Sequence, residues 1–559
     1  MVYFIPKTGG RSGSAATAAV ALSPDHGRFM WGCGPLLFLV MAFFWSAVFT
    51  TRGEIPPSFL WADGTGSNSN AEAHAVAADG AGNVLVTGFF TGTNFIGNTN
   101  LVSIGAEDIF VAKFDPAGNF VWARRAGGTG YDEGRGIETD ASGNIYVTGL
   151  FQNTAAFGAT NLTSSGQSDV FIAKYDPAGN LIWVLDAGGK DYDEAHAIAV
   201  DAQGNAVITG YFDATATFGG FSLPNTSGSD NIFVAKCSSA GKFLWAQGAG
   251  GSQDDVGNGI ALDGATNVYV TGYFSGTATF GTTNLMASGS AGLPDVFLAK
   301  YNPAGNLVWV RQAGGTNDDE GNAIAADVGG NVSLTGKFSG AATFGNTNLV
   351  GNGTDIFVAR YDAAGNFQWA RWAGGANVIY GDAGFGITTD ISSNVFVTGY
   401  FSGTAAFGNT NLTSAGFDDV FCSKYDSTGN LLWVRAAGGT DLDIGYGVAS
   451  GAQSNVFLVG FFASSTIAFD SVTLTNLGGR NIFITSLGPI IVPALGITTT
   501  NGYVVLSWPA AAYGFVLESA PTIPATNWTS ISMGTNIVGQ SRVVTQLMSA
   551  TQGFFRLRK

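Results

Sequence analysis

A glycine in a Val-Thr-Gly-like triplet recurs at Gly88, Gly149, Gly210, Gly272, Gly336, Gly399 and Gly460, with gaps of 61, 61, 62, 64, 63 and 61 residues. A fixed period over most of a chain means that one unit cannot bury its apolar faces alone and needs its neighbours. The copy at 131–189 shows what the unit is. Segments 135–140, 144–151, 169–176 and 180–187 are short and bounded by turn residues, and they are rich in β-branched and aromatic side chains, as in IYVTGLF (145–151). None has helical spacing, so all four are predicted to be strands. The device Asp-x-x-Gly-Asn appears twice, at 140–144 and 176–180. It predicts two tight hairpins, because Asp bonds the backbone two residues on and Gly accepts positive φ. The segment between the second and third strands predicts an extended excursion on one rim.

Four antiparallel strands repeated seven times predict an all-β fold, a seven-bladed β-propeller of four-stranded blades. The first strand of each copy is built of small residues around one branched position, as in GIETD (136–140) and AIAVD (197–201), which places it innermost. Each fourth strand carries a Trp (Trp61, Trp122, Trp183, Trp245, Trp309, Trp369, Trp433), and the second strands end in Phe, as at Phe151 and Phe212. These rings are expected to fill the wedges between blades. Trp61 precedes any other strand, whereas the last copy has three strands and no Trp. The N-terminal strand is therefore expected to complete the last blade and close the ring.

Residues 1–28 are polar and weakly basic, and 29–51 hold an apolar run long enough to span a bilayer. They predict a cytoplasmic segment followed by a signal anchor, or a signal peptide if the chain is cut after it. The propeller is expected over 57–487, a Pro-punctuated linker over 488–496, and a small all-β, sandwich-like module over 497–559. With 24 Lys+Arg against 40 Asp+Glu and a net charge of −16, the chain suits no nucleic-acid backbone. Cys237 and Cys422 take the places of core residues in their copies, which predicts structural thiols.

One polar feature repeats in register just before the innermost strand: Asp132, Asp193, Asp255, Asp319, Asp382 and Asp443, with Glu72, Glu133, Glu194 and Glu320 at the next position. Two residues further on stand His74, Arg135, His196, Asn258, Asn322, Phe385 and Tyr446. Arranged radially, these ring one mouth of a central channel. Two roles suit the aspartates: a site for a cation such as calcium or for a polyhydroxylated ligand, or a cap on the turn into each inner strand. Their presence in nearly every copy favours the cap. Variation is the better pointer to a binding site, and it singles out His74 and His196, together with Trp372 and Tyr380 in and beside an inserted loop at 374–386. The recurring Lys174-Tyr175-Asp176 is expected to be a solvated edge and turn. No nucleophile elbow, zinc-protease helix, P-loop or paired-Cys zinc motif is present.

The unit DxxGNxYVTGxF, followed by DxFxAKYDxxGNxxW and AGG, resembles the SBBP-type β-propeller repeat of exported bacterial proteins over about residues 57–487. That resemblance implies the fold and names no reaction. The Asp-x-x-Gly-x-x-x-Trp turn also looks like the tryptophan-docking motif of quinoprotein propellers, from which only a packing role carries over. LSWPAAAYGFVLESA (506–520) and the closing FFRLRK are similar to terminal modules of exported verrucomicrobial proteins. The expectation is a monomeric, extracytoplasmic, non-enzymatic scaffold that binds an extracellular protein or glycan and meets the membrane through its N-terminal helix. The rival expectation is a carbohydrate-active or quinoprotein-like enzyme with its site at the channel mouth.

Overall fold

The computed structural model describes residues 3–4, 54, 56–64, 69–289, 292–376, 381–451 and 455–489, and, beyond them, 495–500, 503–509, 516–520, 529–531, 536–538, 541–547 and 554–558. Two compact units emerge: Gly53–Pro489, and Met1–Arg52 with Ile490–Lys559. The apolar run 29–51, with its expected membrane-spanning helix, lies outside the described residues. Among those described, no helix is long and apolar enough to cross a membrane.

In the larger unit each repeat is a four-stranded antiparallel sheet. Glu133–Thr139 pairs with Ile145–Phe151, that with Asp169–Tyr175, and that with Leu181–Ala187. The same order follows inner strands at Ala71–Ala78, Asp193–Val200, Asp255–Leu262, Asp319–Ala326, Ala383–Thr389 and Asp443–Ser450. In the last repeat the outer position is filled by Ser58–Gly64, antiparallel to Asn481–Gly488. Inner strands of successive repeats lie side by side, and small residues let them. A Cβ added at Gly259 would stand 2.9 Å from Ala323 Cα, and one at Gly447, in the last repeat, 3.1 Å from Val76 N in the first.

The hairpins form as the turn chemistry requires. Asp140 Oδ1 accepts from the backbone N–H of Ser142 and Asn144, its Oδ2 accepts from Asn144 Nδ2 at 2.8 Å, and Gly143 takes φ +77°. The excursion between second and third strands is more ordered than its sequence suggests. Thr154–Phe157 and Thr160–Thr163 form a hairpin whose first strand pairs with the preceding repeat, Ala155 opposite Gly128. Among the described residues such hairpins in every repeat but the first pair with the repeat before, through a short ladder or a single bridge, and cover the end of its outer strand.

Core clusters fall between repeats. One joins Leu85, Val111 and Trp122 to Ile137, Val147 and Phe151 of the next repeat. Trp122, Trp183, Trp245, Trp309 and Trp369 also dock on the following turn, each donating to a backbone carbonyl there. Trp245 Nε1 donates to Pro303 O at 3.1 Å, and Gly305 packs against the indole face, where a Cβ would come within 2.7 Å. The lysine of the Lys-Tyr-Asp segment is not a solvated edge: Lys174 is buried, 4.7 Å above the Tyr146 ring and 3.5 Å from Asp140. Its ammonium is drawn inward by a carboxylate on the neighbouring hairpin, a partner the linear pattern does not reveal. Cys237 and Cys422 are free and buried.

In the smaller unit Tyr503–Pro509 lies between Gly496–Thr500 and Ser541–Leu547, and Val516–Ala520 lies between Phe554–Arg558 and Thr529–Ser530. Leu506, Trp508 and Val544 from the first sheet share a core with Leu517 and Phe555 from the second. Tyr3–Phe4 pairs with Phe554–Phe555 at the edge of that second sheet.

Candidate functional site

Every inner strand breaks register with its neighbour at one residue. Gly134 faces Gly149 and Gly136 faces Thr148, so Arg135 is left without a partner, and the same break isolates His74, His196, Asn258, Asn322, Phe385 and Tyr446. A bulge of this kind re-aims one side chain out of the alternation of the strand. It also explains the glycine that defines the repeat. The bulge pushes the carbonyl of Glu133 toward the second strand, and a Cβ at Gly149 would stand 1.9 Å from that oxygen. The counterparts Gly88, Gly210, Gly272, Gly336, Gly399 and Gly460 meet the same obstacle at the same distance. The neighbouring threonine anchors the strand behind: Thr148 Oγ1 donates to Phe171 O at 2.7 Å.

The bulged residues of all seven repeats line one cavity of about 720 Å³. Two further positions complete its wall. The residue after each Val-Thr-Gly glycine contributes Phe89, Tyr211 and Tyr273, and the residue just before the third strand contributes Glu107, Asp230 and Arg480. The cavity is asymmetric. On one side Arg135 lies 3.1 Å from Glu133 and 3.3 Å from Glu194, Arg480 pairs with Glu72, and His74 stands 3.7 Å from Glu72. On another, Phe385 and Tyr446 lie 5.3 Å apart, and Tyr446 meets His74 edge to face at 5.3 Å. Between them Asn258 Nδ2 donates to Gly321 O at 2.9 Å, which makes its Oδ1 an acceptor and places the proton of His196 on Nδ1, 3.0 Å away. His196 Nε2 is then left 3.7 Å from Glu194, and among the described residues Arg135 Nε finds no acceptor.

Burial opposes ionisation of Glu72 and Glu194, yet the nearby imidazoles of His74 and His196, with Arg480 and Arg135, hold both below the usual carboxylate range. Glu107 behaves oppositely. Burial first, and then the charge of Glu133, push it up to about 7. Asp230 rises to about 6 through burial and the nearby Asp254.

The sequence-predicted aspartates lie behind this wall. Asp255 Oδ2 accepts from Gly251 N at 2.6 Å and its Oδ1 from Ser275 N at 3.0 Å, and Asp319, Asp382 and Asp443 repeat the arrangement. Asp132 bonds Gly128 N and Gln152 N, and Asp193 bonds Gly189 N. Each fastens the entry of an inner strand to the preceding outer strand, and none lines the cavity. Among the described residues no group of three or more His, Cys, Asp or Glu is disposed to hold a metal ion. His74 and His196 do line the cavity, Trp372 lies opposite Phe357 on an outer strand away from it, and Tyr380 lies outside the described residues. Glu107, Asp230, Arg480 and the aromatic position were not singled out from sequence. The available signal was positional: these places vary from copy to copy while their neighbours repeat. A second cavity, about 690 Å³, is lined by Arg360, Trp369 and Arg371, whose polar atoms are already engaged by Asp327, Ser427 O and Gly429 O.

The strand order, the hairpin stitches and the recurring bulge define a propeller-type repeat protein. The chain carries the SBBP beta-propeller repeat, matched at residues 121–150 and 244–273. It is similar to the uncharacterized WD repeat-containing protein L264 of Acanthamoeba polyphaga mimivirus, 25% identical over 519 residues, covering 74% of this chain and 36% of that protein. It is also 27% identical over 174 residues to the regulatory protein FlaEY of Caulobacter vibrioides, covering 29% of this chain and 18% of that protein. Among solved structures, a protein of unknown function from Dyadobacter fermentans aligns with 78% of this chain and all of its own, at 10% identity and a TM-score of 0.35.

Proposed function

We propose that Gly53–Pro489 is a closed seven-bladed propeller, completed by Ser58–Gly64, and that it acts as a non-enzymatic binding protein whose ligand lodges in the cavity of the bulge ring. Variation carries this reading. Turns, core residues and the aspartate staples repeat almost unchanged, whereas the three positions that face the cavity run from Glu to Arg and from His to Phe. Ring closure alone asks for no such variety, and a recognition surface does. The partner is an extracellular protein or glycan, and the 29–51 segment tethers the chain with the propeller outside, or is removed to release it.

A screen of glycans and peptides by thermal shift, repeated on Asn258→Trp, tests the site. Ligands of the cavity raise the melting temperature of the natural chain and not of the filled one. Equal shifts in both chains refute it. Closure has its own test. Ala62 and Thr485 are cross-strand partners, so cysteines at the two positions form a disulfide spontaneously if the strands pair in solution, and remain free thiols if they do not.

One observation favours an enzyme as a second reading. Glu107, lifted to about 7 by burial and by the charge of Glu133, is a carboxyl group able to give up a proton near neutrality. Hydrolysis of chromogenic glycosides, abolished by Glu107→Gln and by Glu133→Gln, supports that reading; no turnover by the natural chain removes it.

A further inference from the structure

We propose that the group received by the cavity is a protonated amine, carried either by a free polyamine or by the lysine side chain of a partner protein; this rests on the cavity being the ligand site. The charges in the wall do not balance. Arg135 is held between Glu133 and Glu194, Arg480 is held by Glu72, and the nearby Lys337 is held by Asp318 and Glu320, each at 3.1 Å. An incoming anion therefore finds no free cation. Among the described residues neither Glu107 nor Asp230 forms a salt bridge, the charges of Arg135 and Arg480 reaching Glu107 only from farther off, and the two hold the same place in the first and third repeats, just before the third strand. Partial burial, and then the neighbouring carboxylates Glu133 and Asp254, raise the proton affinity of both. A third residue at this place, Asp418, does not line the cavity; it is 5% exposed, and among the described residues its Oδ1 has no hydrogen-bond partner.

The rest of the wall suits a cation as well. Phe89, Tyr211, Tyr273, Phe385 and Tyr446 supply ring faces and edges around these carboxyl groups, and an ammonium near an aromatic face gains about 0.5–2 kcal/mol as it sheds water. A neutral sugar would use the amides and hydroxyls but leave Glu107 and Asp230 uncompensated. The net charge of −16 adds a long-range pull on cations.

The test is calorimetric titration of the full chain with spermidine, with a lysine-rich peptide, with a neutral oligosaccharide and with glutamate, on the natural protein and on Glu107→Gln/Asp230→Asn. The expected result is binding of one or both amines, weakened at least about tenfold in the double variant and further weakened by salt. The variant itself keeps or raises its melting temperature, since two half-buried carboxyl groups without a salt bridge are gone. Spermidine binding alone identifies a free amine as the source, and peptide binding alone identifies a protein partner. Binding of the sugar or of glutamate without either amine overturns the cation class and leaves the cavity reading standing. Silence from all four probes up to about 1 mM overturns this inference. A ligand from the wider screen that Asn258→Trp does not affect removes the cavity reading itself.

Discussion

Gly210→Ala attacks the device on which the cavity depends. The added Cβ would stand 1.9 Å from Glu194 O and 2.9 Å from Ala195 Cα, whereas a carbon and a carbonyl oxygen tolerate about 3.3 Å. The inner strand must therefore retreat by about 1.4 Å, carrying Glu194 and His196 with it. At that displacement the 3.0 Å bond between His196 Nδ1 and Asn258 is broken, and so is the 3.3 Å contact of Glu194 with Arg135. Overpacking costs about 1–3 kcal/mol and the lost hydrogen bond about 1 kcal/mol. The lower chain entropy of Ala in the unfolded state returns about 0.4–1 kcal/mol. A net loss of about 2–3 kcal/mol is expected. Urea unfolding gives the value, and Gly220→Ala is the control, because a Cβ there meets nothing within 4 Å. If the two variants unfold within about 0.5 kcal/mol of each other, the account of why this glycine recurs is wrong.

Asp255, Asp319, Asp382 and Asp443 are each raised to about 7, with burial the largest cause. The native state thus keeps protons that the unfolded chain has released above about pH 4, so stability falls as pH rises toward and through 7; a urea midpoint that climbs from pH 5 to pH 8 contradicts this. Trp245→Phe loses the bond to Pro303 O but keeps most of the packing and costs about 1–2 kcal/mol, whereas Trp245→Ala costs about 3–5 kcal/mol. Equal losses for the two would deny the docking its shape-dependent part. Arg360→Met leaves the buried Asp327 carboxylate without its 2.6 Å partner and lowers stability by about 3–5 kcal/mol, and Asp327→Asn in the same chain should recover part of it.

Local rules made the repeat legible. Asp140, Gly143 and Asn144 settle their hairpin among themselves, and Trp and Phe at a fixed spacing announce the wedges between sheets. Long-range partners were not legible. Lys174 reads as a surface lysine until the neighbouring hairpin brings Asp140 beneath it, and the hairpin at 154–163 reads as an excursion until Gly127 and Gly128 offer it an edge. The site was half visible. His74, Arg135 and His196 stand out because they vary at a fixed distance from a repeating Asp-Glu, but Glu107 and Asp230 arrive from loops before the third strand. Only the bulge, which no propensity encodes, turns the inner strand toward them.

The central claim is that the bulge ring presents its varied side chains to a ligand. The protein has 3 histidines, His26, His74 and His196, and two of them line the cavity. A nitrogen-15 correlation spectrum of histidine-labelled protein, recorded while the ligand found by screening is added, tests the claim most directly. The account predicts that His74 and His196 shift together along one saturation curve while His26 stays still. A ligand that binds by calorimetry and moves neither of the two contradicts it.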